Sequence, residues 1–319
     1  MIYERTVAEN AWELEEGLYR ILLPLPWDVP FVNAYLVACE GQFLLIDAGW
    51  HSRTSLRALG RAMKAIGVPP HGLTQLLLTH GHPDHASGAG AVHAHWGGSV
   101  SVHPAARRHH LSTEEMADWA RREGLAGEPL ERLLGRRREP MEPLPEDVEH
   151  LQAGGPLRFG ACAFDVLHMP GHCPGQVVLH ERGRGWLFTA DQLLTPQGPN
   201  VWYQSHREGD PLGEYLESLE ATGRIAADLV LPGHGAPWRG GPAQGAAEAI
   251  AFQRDYIARV EGCVEGSAVS SWRVAQRLAA ARGRRAEDVS ELAEVLAALV
   301  HLEAEGKIGR TQEGGWVRV

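Results

Sequence analysis

Seven consecutive residues constrain this chain more than any others: Thr79-His80-Gly81-His82-Pro83-Asp84-His85. They follow Gln75-Leu76-Leu77-Leu78, an apolar run that, with Thr79, reads as a buried strand bounded by polar residues. That strand delivers the chain directly to His80. Three imidazoles and one carboxylate then fall within six residues, and all four are ligand types for first-row divalent metals. Gly81 admits unusual dihedrals and Pro83 stiffens the loop, which suits a turn that must aim side chains in two directions. One ion cannot easily take all four from so tight a segment. Two ions can, if the first histidine pair serves one and the Asp-His pair serves the other. The competing reading is a polar loop in which histidines fall together by chance.

Three downstream segments bear on that choice. Gly171-His172-Cys173-Pro174-Gly175 follows a strand candidate ending at Leu167, and Leu231-Pro232-Gly233-His234-Gly235 follows the apolar run before it. Each sets a histidine among glycines and prolines at a strand end, where it can point into a shared cleft. Between them, Trp186-Leu187-Phe188-Thr189-Ala190 ends on Asp191, whose alternative readings are a turn residue or a helix cap and which, taken alone, reads as a cap before it reads as a ligand.

Around these motifs the chain alternates strands and helices. Strands are expected at 18–22, 34–38 and 43–47, with a hairpin turn at Glu40-Gly41, then at 75–79, 99–102, 164–167, 177–180, 186–190 and 229–231. A helix over 54–66 should stop at Gly67 and the prolines at 69 and 70, and one over 211–222 should start from Asp210 as N-cap. The pattern is α+β, sheet layers covered by helices. Residues 104–145 break it: Arg- and Glu-rich, with helices expected at 113–122 and 129–138, they read as a helical insertion at one edge. After Arg239-Gly240-Gly241-Pro242 the chain turns Ala-rich, with helices expected at 246–264, 271–282 and 290–306 and a terminal hairpin over 307–310 and 316–319. This predicts two units, a catalytic part over 1–245 and a small winged-helix-like part over 246–319.

Composition excludes several classes. With 44% hydrophobic and 22% charged residues the 319-residue chain is ordinary globular protein, and no apolar stretch approaches the roughly 18 residues of a membrane helix. The acidic N-terminal segment lacks the basic start of a signal peptide, so a cytoplasmic location is expected. Thirty basic against forty acidic residues give a net charge of −10, which argues against broad nucleic-acid binding. Cys39, Cys162, Cys173 and Cys263 form no C-x-x-C pair and read as packing residues of a reducing compartment.

Taken in order, H-x-H-x-D-H, G-H-x-P-G, an Asp at a strand end and P-G-H-G closely resemble the metallo-β-lactamase superfamily. The resemblance covers about residues 15–240 and implies a four-layer αβ/βα sandwich with a two-metal site at one edge. Carried over residue by residue, it implies that His80, His82 and His172 hold one metal and Asp84, His85 and His234 the other, with Asp191 bridging. It implies two divalent ions, zinc by ligand chemistry, with iron or manganese compatible. Since all seven ligands precede residue 246, metal binding is expected to be independent of the C-terminal part. The runs Asp191 to Pro196, Pro199-Asn200-Val201 and Asp210 to Leu219, with His301-Leu302-Glu303 before Gly306, resemble the lactamase-like hydrolases that end in a winged-helix domain. Their relatives include glyoxalase-II-like thioesterases and a ribonuclease group. Cys173 departs from the threonine common in the glyoxalase-like motif. Asp191 stands where antibiotic-cleaving lactamases commonly carry cysteine, which argues against that activity.

Two adjacent divalent ions lower the pKa of a shared water and polarise a carbonyl or phosphoryl oxygen. The function expected is therefore hydrolysis of a small ester-like substrate (a thioester, lactone or related acyl compound), with Asp84 as catalytic residue through metal binding and water orientation. The alternatives are a metal-dependent ribonuclease or phosphodiesterase, and a non-enzymatic winged-helix binding protein. From Glu265 onward eight basic and eight acidic residues balance, so no electrostatic funnel for nucleic acid exists there. The expected partner is a small-molecule substrate, with no membrane; a homo-oligomer stays open. His93 and His95 are expected on a helix pointing apart, His168 as a satisfied core or supporting residue, Cys173 as packing, and His109-His110 and Arg136-Arg137-Arg138 as solvated faces. Trp27 and Trp202-Tyr203 are read equally as substrate wall or loop packing.

Overall fold

A computed structural model describes residues 4–106, 112–135, 144–145, 147–195, 198–203 and 209–319. Two sheets face each other. The first has eight strands in chain order: β1 (Arg5–Ala8), β2 (Ala11–Glu15), β3 (Leu18–Pro24), β4 (Phe31–Cys39), β5 (Gln42–Ile46), β6 (Gln75–Leu78), β7 (Ser99–Val102) and β8 (Glu149–His150). It is antiparallel up to β5 and parallel from β5 to β8. The second contains β9 (Pro156–Phe159), β10 (Cys162–His168), β11 (Val177–Glu181), β12 (Trp186–Ala190), β13 (Leu229–Pro232) and β14 (Trp238–Arg239), in the order β14-β13-β12-β11-β10-β9. The β4–β5 hairpin turns through Glu40 and Gly41, both at positive φ (50° and 79°).

The residue period of two sorts the strands into layers. Leu44, Ile46 and Leu77 point between the sheets and pack with Phe164, Leu179, Trp186, Phe188 and Leu231. Their neighbours Leu45, Leu76 and Leu78 point outward, under Ala58, Leu59, Ala62 and Met63 of helix α1 (Arg53–Ile66). On the far face of the second sheet, Met169, Val178 and Leu187 lie against Ala221 and Ile225, at the end of and just after helix α6 (Pro211–Gly223). Helix, sheet, sheet, helix is the four-layer αβ/βα sandwich. Helix α1 ends at Gly67 (φ 96°), whose N–H reaches the carbonyls of Met63 and Lys64, and Asp210 caps α6 by accepting from the Gly213 N–H at 2.8 Å. Short helices α2 (Pro83–Ala86) and α3 (Ala89–Trp96) follow β6.

Helices α4 (Thr113–Arg122) and α5 (Glu128–Gly135) form the insertion; residues 136–138 of the expected second helix, and the Arg136-Arg137-Arg138 and His109-His110 faces, lie outside the described residues. Ser112 and Glu115 make a capping box on α4. The C-terminal part is α7 (Ala243–Gly262), α8 (Ser271–Ala280) and α9 (Val289–Ala304), then the hairpin of β15 (Ile308–Arg310) and β16 (Trp316–Arg318). One apolar cluster runs through all of it and beyond: Trp119 and Leu133 of the insertion, Leu212, Tyr215 and Leu219 of α6, and the buried faces of α7, α8 and α9 share a core. The insertion is tied down further by Glu123, which accepts from Ser271 Oγ (2.6 Å) and from Arg310 (2.5 Å). Among the described residues no helix is long and apolar enough to cross a membrane.

Candidate metal centre

Five strands end at one edge of the sandwich. β6 leads into His80, β10 into the loop carrying His172, β12 into Asp191 and β13 into His234; β5 ends just before Asp47. Within the second sheet β10, β12 and β13 run in one direction, so their carboxyl ends converge. Two of the turns are forced. Asp47 and Ala190 sit at positive φ (65° and 45°), a conformation that non-glycine residues adopt at a cost. At Gly233 any Cβ would lie 2.4 Å from Asp191 Oδ1 and 2.7 Å from the His85 ring, so glycine is what lets the His234 loop close over the cluster.

The seven residues gather into two groups: His80, His82, His172 and Asp191, and Asp84, His85 and His234, with the ligand-type atoms of each group within 4.8 Å of one another. His82 Nδ1 is 2.9 Å from His80 Nε2 and 2.7 Å from His172 Nε2. Asp191 faces both groups: Oδ2 is 3.6 Å from His172 Nε2 and 3.7 Å from His234 Nε2, and Oδ1 is 3.3 Å from His85 Nε2. Asp84 Oδ2 lies 3.1 Å from His234 Nε2 and 3.6 Å from His85 Nε2.

Outer partners fix which ring nitrogen points inward with a lone pair. His172 Nδ1 meets the Asn200 carbonyl at 2.9 Å and His234 Nδ1 meets the Phe31 carbonyl at 2.9 Å; a carbonyl only accepts, so both Nδ1 atoms carry the proton. His85 Nδ1 meets Asp47 Oδ2 at 2.7 Å. Asp47 is thus a functional residue that motif reading passed over. It also accepts from the Thr79 N–H at 2.8 Å and from the Thr79 hydroxyl, which in turn lies 3.0 Å from His80 Nδ1. The signal was present: like Asp191, it is a carboxylate ending an apolar run, on the strand paired to β6.

This arrangement fits divalent cations. His82 Nδ1 lies within hydrogen-bond distance of both His80 Nε2 and His172 Nε2, a convergence of ring nitrogens that a shared positive charge would favour. His85 Nε2 and Asp191 Oδ1 are buried without a hydrogen-bond partner, an expense a metal ion would offset. Electrostatics agree. Burial opposes charge on the His85 ring, but Asp191, Asp84 and Asp47 outweigh it and hold its pKa well above the ordinary imidazole value. Against the same burial, Asp191 and Asp84 raise that of His234. Burial would lift Asp191 and Asp84, yet the neighbouring imidazoles, His85 foremost, bring both below the usual carboxylate range. The cluster attracts positive charge strongly.

The description "Metallo-beta-lactamase superfamily" belongs to a family model that matches residues 27–234. The chain is a member of that superfamily. Its relatives include a probable metallo-hydrolase YqjP of Bacillus subtilis, 27% identical over 70% of this chain and 72% of that protein. The acyl-coenzyme A thioesterase MBLAC2 of Gallus gallus is 30% identical over 63% of this chain and 72% of its own. The hydroxyacylglutathione hydrolase GloC of Haemophilus influenzae is 30% identical over 38% of this chain and 50% of its own. In structure the chain is similar to a metallo-beta-lactamase family protein of Thermus thermophilus (TM-score 0.79, 26% identity, covering 96% of this chain and 100% of that one). The protein is a hydrolase of this superfamily with a His/Asp cluster able to bind metal.

The remaining sequence candidates lie elsewhere. His93 and His95 are on α3, outside both groups; His93 Nδ1 meets the Gly98 carbonyl and His95 packs edge-on to Trp96. His168 is exposed rather than a core residue: it is the last residue of β10, stacks on His103 with ring centroids 4.2 Å apart, and meets the Pro174 carbonyl. Cys173 is buried beside His172 and belongs to neither group. Trp202 has its ring centroid 6.4 Å from that of His82, while Trp27 packs edge-on against Trp50.

Proposed function

We propose that this hydrolase is dinuclear and cleaves small acyl compounds, thioesters first, with lactones and related esters as the wider class. His80, His82 and His172 would hold one ion, Asp84, His85 and His234 the other, and Asp191 would serve both; zinc is the metal that best suits this donor set, with iron or manganese compatible. The carrying observation is the pinning of the Nδ1 protons of His172, His234 and His85 on Asn200, Phe31 and Asp47, which commits their Nε2 lone pairs to the interior. When bound, the two ions supply Lewis acidity and a more acidic water.

The chain's own groups do the rest. Asp84, with Oδ2 turned to the His234 and His85 rings, has a second carboxylate oxygen with which to orient water and take its proton, so it is our catalytic residue. The water oxygen forms the new C–O bond, the C–S bond breaks, and the proton passes to the leaving thiolate, giving a carboxylic acid and a thiol. The thioesterase and hydroxyacylglutathione hydrolase names among the relatives support thioesters. We read residues 246–319, most of α7 through β16, as winged-helix-like, although the 245/246 division falls inside α7, which begins at Ala243. The even charge from Glu265 onward supports a small-molecule partner over nucleic acid. The test is metal analysis joined to a hydrolysis panel of thioesters, lactones, phosphodiesters and short RNA. About two ions per chain with thioester turnover is expected. Turnover of phosphodiesters alone would replace this reading with the nuclease one.

A further inference from the structure

Large apolar side chains exposed to water are few here: among the described residues they are Trp27, Val29, Phe31, Leu134, Trp202, Phe252 and Val319. Four of these seven sit on two loops, 25–31 and 198–203, and both loops are attached directly to ligand-type histidines. The Phe31 carbonyl holds His234, and the Asn200 carbonyl holds His172. Both apolar groups thus sit next to the cluster: the Trp202 ring is 6.4 Å from that of His82, and the chain carrying Trp27, Val29 and Phe31 reaches His234 through the Phe31 carbonyl. Scattered exposed apolar residues need no explanation, but a concentration around a reaction site marks a binding surface.

Both loops are built to stay in place. The Leu25 N–H bonds the Pro30 carbonyl at 2.9 Å and closes the first loop, and Trp27 leans edge-on against Trp50 at 5.1 Å. In the second, the Tyr203 N–H bonds the Ala293 carbonyl of α9 at 3.0 Å, and the Trp202 indole N–H, its one polar atom, is directed to Glu294 at 3.4 Å. What these four side chains offer a substrate is hydrocarbon surface. A hydroxyacyl or charged acyl group would forfeit hydrogen bonds to water against such a wall, whereas a hydrocarbon chain would lose unfavourable hydration.

Resting on the thioesterase reading, we infer that the substrate's acyl group is an apolar chain of several carbons, seated against Trp202 and the loop carrying Trp27, Val29 and Phe31. The wall selects the acyl half of the substrate, whatever thiol carries it.

The experiment uses the zinc-loaded full chain and thioesters of one thiol, N-acetylcysteamine, with saturated acyl groups from two to ten carbons and the 2-hydroxypropanoyl ester alongside. Burying a methylene contributes about fourfold in an equilibrium when complete, so kcat/KM is expected to rise two- to fourfold per carbon over the part of the chain the wall covers. Val29→Ser and Trp202→Ser should lower the ratio of octanoyl to acetyl turnover. Val29 is half exposed, so its variant keeps the test open should Trp202→Ser fold poorly. Competition by decanoate against acetate gives an independent binding readout, with decanoate expected to be the tighter inhibitor. Hydrolysis that is flat with chain length, or preference for the hydroxyacyl ester over butanoyl, overturns this inference and leaves the thioesterase reading intact. Hydrolysis of no thioester at all overturns that reading, and this one with it.

Discussion

Replacing Asp47 by asparagine keeps the volume but removes the charge and one of two accepting oxygens, so it tests the supporting role of a residue that lies outside both ligand-type groups. Asp47 is 3% exposed and accepts from three donors: Thr79 N–H to Oδ1 at 2.8 Å, and the Thr79 hydroxyl (2.8 Å) and His85 Nδ1 (2.7 Å) to Oδ2. An amide has one accepting oxygen. If that oxygen stays on the Thr79 N–H, the amide NH2 lies where Oδ2 was and must donate to His85 Nδ1. The ring proton then moves to Nε2, against Asp191 Oδ1 at 3.3 Å and Asp84 Oδ2 at 3.6 Å, and the inward lone pair is lost. If the amide flips, NH2 opposes the Thr79 N–H and the backbone donor after β6 goes unpaired, at a cost of about 1–3 kcal/mol. Loss of such an outer partner typically weakens metal affinity 10- to 100-fold, about 1.4–2.7 kcal/mol. We expect Asp47→Asn to lose that much affinity for one of the two ions, measured by titrating the metal-loaded chain with a chromophoric chelator, with the other ion released later. Retention of both ions within twofold of wild-type affinity would refute the assignment of Asp47 and the tautomer argument behind it.

Asp191→Ala should abolish most hydrolysis, at least 100-fold, and loosen both ions, because its two oxygens face both groups; elemental analysis showing two tightly held ions would contradict its shared role. Cys173→Ser should leave metal content unchanged, and a stripped ion would mean that the ligand set is wrong. His301 donates Nδ1–H to the α6 cap Asp210 at 2.7 Å, and that bond foremost raises its pKa above the ordinary imidazole value. Its stabilising effect is therefore complete below the unfolded pKa of about 6.5 and fades as pH rises through the higher folded value. The melting-temperature gap between wild type and His301→Gln should shrink from pH 6 to pH 9, and a gap constant over that range would remove the pair from the stability account.

The strands legible in the sequence were chiefly those with buried, largely apolar runs: β6, β12 and β13 begin and end within a residue of expectation. The strands at the sheet margins were not. In β2, Trp12, Glu13 and Glu15 interleave apolar and charged residues at half-buried positions, and β8 and β14 are two residues long, too short for any period to show. Helices with strong end signals were also legible, since Ser112, Asp210 and Gly67 cap as their chemistry requires. The ligand-type residues stood out because their identities are rare and clustered. Asp47 did not, because an aspartate at a strand end looks the same whether it turns the chain or holds a histidine, and only the pairing of β5 with β6 brings it to His85.

That distinction between a residue's place in the chain and its place in the network also governs the C-terminal part. By position, all seven ligand-type residues precede residue 246, which argues that metal binding needs nothing later. By contact the separation fails at one point. His172 is oriented by the Asn200 carbonyl, and the segment carrying Asn200 is itself held by α9, through Tyr203 N–H on the Ala293 carbonyl and Trp202 Nε1–H on Glu294. The same helix shares a core with Leu212, Tyr215 and Leu219 of α6, the helix against which Gly171 is pressed so closely that a Cβ there would fall 2.3 Å from Tyr215 Cα. His172 therefore takes its ring orientation from one neighbour that depends on α9 and its backbone position from another that α9 helps to bury. Ligand-type residues that all lie in the first 245 positions are held in their geometry by residues near 293.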